Sequence, residues 1–161
     1  MTVEEYNKTV DDHADGLYRF ILKNTRDSEN ARDIVQDSFE KLWIRISSVD
    51  AGKAKSYLFT TAYHTMIDMI RKNKRTHGFD IEEHDSESRI ESYTGISAIL
   101  EEAVNLLPVD QRSVILLRDY EGYRYDEIAN ITGLSESQVK VYIFRARMFL
   151  KKYIGSIETL I

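Results

Sequence analysis

The densest cluster of groups able to act on another molecule lies in the last third of the chain. From Lys140 to Lys152 the charged residues are Lys140, Arg145, Arg147, Lys151 and Lys152, with no acid among them. The 161-residue chain as a whole carries a net charge of −5. A locally basic helix on an acidic protein is the footprint of a nucleic-acid contact rather than of general solubility. The stretch is helical by pattern, since Val139, Ile143, Ala146 and Leu150 recur at helical spacing. Ahead of it, Thr132-Gly133-Leu134 supplies a break in which Gly133 is free to take a positive φ. Ser135 or Ser137 then offers a hydroxyl to cap the next helix. Upstream of the break, residues 126–130 put Ile128 and Ala129 on one side of a short helix. The pattern is a helix-turn-helix. The competing reading is a plain helical hairpin whose basic face meets only water.

Residue types give little support to catalysis. His13, His64, His77 and His84 have no metal-ligand spacing among themselves. Cysteine is absent, which removes disulfides, thiolate metal sites and a cysteine nucleophile. No Gly-rich phosphate loop and no GxSxG are present. Weak adventitious metal binding near His77 and His84 is the most these residues allow. The expectation is a non-enzyme with neither cofactor nor metal. Phe20, Tyr63 and Phe144, at helical spacing, are expected in the core. No apolar run approaches the ~20 residues needed to span a bilayer. The acidic start MTVEEYNKTVDDHADG has no signal-peptide core. Both points predict a cytoplasmic protein without membrane insertion.

The rest of the chain must position these groups, and it reads as helices too. Residues 30–46 carry Ile34/Val35, Phe39, Leu42/Trp43 and Ile46 on one stripe, expected to be buried. Asp33, Asp37 and Glu40 fall near one another on the other face, which suits a basic partner or simply water. Residues 56–75 repeat Leu58, Ala62, Met66 and Ile70, then end in Arg71, Lys72, Lys74 and Arg75. Cations at a helix C-terminus are favoured by the dipole even without a ligand. Strand-like alternation is absent, so the chain is expected to be all-α. Charge sets its boundaries: residues 1–75 carry net +1, residues 76–98 carry −5 and residues 99–161 carry −1. This predicts two small helical domains, 1–75 and 99–161, joined by an acidic flexible linker at 76–98.

In order and spacing, these motifs resemble the extracytoplasmic-function (ECF) group of the sigma-70 family of bacterial RNA polymerase sigma factors. In the C-terminal part the matching residues include Leu106-Leu107-Pro108, Arg112, Leu116-Leu117-Arg118, Gly122, Tyr125, Glu127-Ile128-Ala129, Gly133-Leu134-Ser135, Val139-Lys140 and Arg145-Ala146-Arg147. The segment is similar to sigma region 4, which reads the −35 promoter element. That likeness makes Arg112, Arg124, Ser137, Gln138, Lys140, Val141, Tyr142 and Arg145 candidate DNA contacts. The family usually has Ser-Arg where this chain has Val141-Tyr142. In the N-terminal part, Ala31, Asp33-Ile34-Val35-Gln36-Asp37, Phe39 and Leu42-Trp43 resemble the region-2 helix that docks on the β′ clamp helices of the polymerase. Asp33, Gln36, Asp37 and Glu40 thereby become candidate polymerase contacts. Tyr57-Leu58, Ala62, Ile67-Asp68 and Arg71 resemble the promoter-melting helix, preceded by the base-specifying loop 47–55. Lys53, Lys55, Tyr57, Thr60, His64 and Arg71 are the corresponding −10 candidates. Here His64 stands where the family commonly has Asn, and Thr60 where a basic residue is common. The likeness implies a sigma factor that binds core polymerase, including the β flap, and directs promoter-specific initiation, with an anti-sigma protein as a further candidate partner. The other functional class is a stand-alone helix-turn-helix regulator, which would need a ligand pocket or a dimer face in its N-terminal half.

Overall fold

In the computed structural model of the chain, residues 1–77 and 95–158 are described. They form two helical units, the first built on α1 (Val3–Thr25), α2 (Ser28–Ile44) and α3 (Ala54–His77). The second is built on α4 (Ile96–Leu106), α5 (Val109–Ile115), most of α6 (Tyr125–Thr132) and α7 (Glu136–Glu158). Most of the stretch expected as a linker, with its His84, lies outside the described residues. α3 runs on through His77 and α4 begins at Ile96, so both flanking helices reach into the range 76–98.

Local chemistry sets the helix ends of the first unit. The Thr2 hydroxyl accepts from the Glu5 N–H at 3.1 Å while the Glu5 carboxylate accepts from the Thr2 N–H, a reciprocal cap that starts α1. Arg26 ends α1 in the left-handed region, its N–H donating to the Leu22 carbonyl at 2.7 Å. Asp27 follows at once and caps α2, accepting from the Asn30 N–H at 3.1 Å. A turn this short leaves α1 and α2 as packed neighbours. Between α2 and α3 a single 3-10 turn forms at Ala51–Lys53. The core gathers Leu17, Phe20 and Ile21 from α1, Ala31, Ile34 and Leu42 from α2, and Leu58, Phe59, Ala62 and Met66 from α3. The Phe20 and Phe59 rings lie 5.7 Å apart at its centre.

In the second unit Pro108, which has no N–H to lose, opens α5 after the extended Leu107. α5 then widens into a π-turn at Leu116–Tyr120, closed by the Glu121 N–H donating to the Leu116 carbonyl at 3.1 Å. α6 starts where the Glu127 carboxylate accepts from the Arg124 N–H at 3.0 Å. Gly133, at φ +78°, makes the turn that follows, as its sequence position predicts. Ser135 rather than Ser137 caps α7. Its hydroxyl accepts from the Gln138 N–H at 3.1 Å, and the Gln138 side chain returns an acceptor to the Ser135 N–H at 3.0 Å. Val104, Val114, Ile115, Leu117, Ile128, Val139, Ile143 and Ala146 are buried.

Two expectations about burial are corrected. Trp43 is 48% exposed and Phe144 is 65% exposed, so neither is a core residue. At 100° per residue, Trp43 falls about 115° from the centre of the buried stripe of α2, and Phe144 about 130° from that of α7. The helical spacing that predicts both in the core takes in a wider arc than the buried side of either helix. Phe20 and Tyr63 are buried as expected.

Candidate protein and nucleic-acid interfaces

α2 lines up Asp33, Gln36, Asp37 and Glu40 along the face opposite Ile34 and Leu42. Asp33, Gln36 and Glu40 are exposed and Asp37 half-exposed. Few of their oxygens are committed elsewhere. Gln36 donates to Glu40 at 3.4 Å, and Asp37 meets Lys41 at 3.0 Å one turn on. This arrangement can offer carboxylates to a basic partner. Ile44, 78% exposed, continues the same line, and Trp43 lies beside it. Trp43 is edge-on to the Tyr6 ring at 5.0 Å, and the Tyr6 hydroxyl donates to the Phe39 carbonyl at 3.0 Å. Burial first, and Glu40 second, push the Tyr6 phenol above its ordinary value. The surface therefore joins an acidic row to an apolar end, and the apolar end was missed in the sequence. The wheel angle of Trp43 was the available signal.

On α3, Tyr57, Thr60, His64 and Arg71 fall within about 60° of the helix circumference, so the fold brings them together on one side. His64 and Arg71 are exposed, Tyr57 and Thr60 partly so. The opposite side carries Leu58, Ala62 and Met66 into the core. The two lysines do not join that row. Lys53 is exposed on the 3-10 turn. Lys55 is half-buried at the start of α3, close enough to α1 for its charge to help lower the pKa of His13, after the larger effect of burial.

α7 presents Ser137, Lys140, Val141 and Arg145 on one exposed face, and the missed Phe144 and Met148 share it. In helix-turn-helix proteins that bind DNA, residues near the start of the second helix reach base edges in the major groove while other cations meet phosphate. The other predicted contacts sit differently. Gln138 is engaged in the cap with Ser135. Tyr142 is half-buried at the flank, with the Arg145 guanidinium 6.0 Å from its ring centroid. Arg124 is exposed and forked with Asp126 at 3.2 Å, which holds the Asp126 carboxyl below its usual range. Arg112 is half-buried and donates to the carbonyls of Asn105 and Leu107 at 3.4 and 3.3 Å, across the end of α4. No helix among the described residues is long and apolar enough to cross a membrane.

Two family descriptions match the chain. Residues 9–76 match Sigma-70 region 2, and residues 97–150 match Sigma-70, region 4. The chain belongs to the ECF group of the sigma-70 family, and it is a sigma factor of RNA polymerase. It is 32% identical to the ECF RNA polymerase sigma factor SigM of Bacillus subtilis over 157 residues, covering 94% of each chain. It is 30% identical to the RNA polymerase sigma factor SigV of the same organism, covering 88% of this chain and 86% of that one. In fold it is similar to the sigma factor RpoE of Bartonella quintana, solved with the anti-sigma factor NepR, at a TM-score of 0.82 and 24% identity. That likeness covers 95% of this chain and 98% of the other.

Proposed function

We propose that the first unit, taken as 1–75, carries core-polymerase binding and −10 melting, and that the second, taken as 99–161, carries −35 recognition. One observation supports this division above all. A single chain pairs an exposed acidic helix face, Asp33 to Glu40, with an exposed basic helix face, Lys140 to Lys152. The acidic row of α2 meets the basic clamp helices of β′, with Trp43 and Ile44 as apolar anchors, since aromatic residues dominate interface energetics. The α3 row of Tyr57, Thr60, His64 and Arg71, with Lys53 ahead of it, takes the unpaired −10 strand, where rings stack on bases and cations meet phosphate.

α7 enters the major groove at −35 while its unit rests on the β flap. Lys140 donates to a guanine edge, Val141 and Phe144 meet apolar base surface, and Arg145 grips phosphate. Arg124 joins it by exchanging Asp126 for a phosphate. Arg112 serves DNA indirectly, by closing the α4 end on which α5 is set. The acidic total fits a protein whose hold on DNA depends on polymerase. It works in the cytoplasm, by binding rather than by catalysis, and an anti-sigma protein that covers either face would silence it.

The test is assembly. Mixed with core polymerase, the chain should co-elute and make −10 thymines permanganate-reactive, which core alone does not. Promoter binding by a dimer of the chain without polymerase would favour a stand-alone regulator instead.

A further inference from the structure

Tyr125 opens α6, half-buried, and three cations from two other elements, the π-turn and α7, converge on it. The Arg118 guanidinium lies 4.6 Å from its ring centroid, and Arg118 is itself fixed by donating to the Tyr123 carbonyl at 2.8 Å. The Lys140 ammonium lies 5.7 Å from the same centroid. Arg147, held chiefly by Asp119 at 2.7 Å, also feels the Tyr125 phenol. Lys140 also pairs with Glu136, one turn back on its own helix at 3.6 Å. A lysine on an open helix face samples many rotamers, and ordering it on binding costs entropy. An aromatic face within about 6 Å attracts an ammonium and narrows that choice beforehand.

We propose that Tyr125 is a positioning residue for base reading. Its ring holds the Lys140 ammonium where α7 presents it to a base edge, while Arg118 and the Asp119–Arg147 pair hold the ring's surroundings in register. Tyr125 touches no base itself. This rests on α7 being the recognition helix.

The experiment measures holoenzyme binding to a −35 element carrying every single-base substitution. Lys140→Ala should flatten preference at one position by roughly tenfold. Tyr125→Leu should flatten the same position and no other, and adding it to Lys140→Ala should change that position no further. Tyr125→Phe keeps the ring and should keep the preference. Should Tyr125→Leu fail to fold, fluorinated phenylalanines at 125 keep the ring's shape and weaken its negative face. Preference at the Lys140 position should then decline with fluorine number. A uniform loss across all sequences, or no response to fluorination, overturns the proposal while Lys140→Ala still flattens its position. If Lys140→Ala itself leaves every preference intact, the recognition-helix reading falls and Tyr125 falls with it.

Discussion

The Arg147 guanidinium meets the Asp119 carboxylate at 2.7 Å and ties α7 to the π-turn that ends α5, 28 residues earlier in the chain. The carbonyl of Leu116, the first residue of that π-turn, accepts from the Glu121 N–H to close it, and Asp119 reaches from within the turn toward α7. Both side chains remain close to half-exposed, at 49% and 41%, so solvent screens the pair. Asp119→Ala should therefore cost the second unit about 1 kcal/mol or less. Chemical denaturation with a double-mutant cycle against Arg147→Ala measures this, and the coupling should shrink in high salt.

Reversal of Asp33 and Asp37 to Lys should weaken the complex with core polymerase and leave the fold intact, because these side chains face water. Trp43→Ala should act in the same direction. Its half-exposed ring makes the stability cost less than about 2 kcal/mol, against the ~3–5 kcal/mol of a buried aromatic. Phe20→Ala, at a position only 1% exposed, should show the larger loss. Melting curves set beside co-elution separate the two effects. Equal unfolding by Trp43→Ala and Phe20→Ala would contradict the surface role of Trp43.

His64→Asn restores the common family residue on the exposed row of α3. It should shift base preference at −10 and leave −35 preference alone, as read by abortive initiation on substituted promoters. Replacement of loop 47–55 by that of a relative should also act on −10 only. Indifference to both changes would remove this row from the account.

Arg145→Ala should weaken all promoters alike and lower the salt slope of binding by about one. Lys140→Ala should instead cost roughly 1–3 kcal/mol at one base position. Binding titrations at several salt concentrations distinguish a phosphate contact from a base contact.

His13 supplies a pH dependence in the first unit. Burial, and then the charge of Lys55, lower its pKa from the ordinary 6.5, so the folded state favours the neutral ring. The unfolded chain binds the proton more readily. The stability this gives is complete above about pH 6.5 and is lost as pH falls from there through the depressed folded value. His13→Gln should flatten that decline in thermal melts between pH 7 and 5.

Much of this architecture was legible from periodicity. The apolar repeats of α2, α3 and α7 mark their buried sides, and Gly133 marks the helix-turn-helix break because its φ of +78° suits glycine. The acidic row of α2 and the basic row of α7 follow from the same wheel, since polar groups take the faces left to water. What stayed hidden depends on neighbours in space. Arg112 looks like any surface cation until the end of α4 offers it two carbonyls. Gln138 looks free until Ser135 claims it as a cap. The π-turn at Leu116–Tyr120 leaves no mark in a run that reads as continuous helix. Trp43 and Phe144 mislead because apolar character does not say whether a side chain packs inside or waits for a partner.

The most direct test of the central claim is multi-round transcription by core polymerase from a supercoiled promoter library, with and without this chain. The account predicts new transcripts that share one −35 and one −10 sequence, abolished by reversal of Asp33 and Asp37 and redistributed by Lys140→Ala. Transcripts that do not depend on the chain, or that Lys140→Ala and His64→Asn leave unchanged in their start sites, would contradict it.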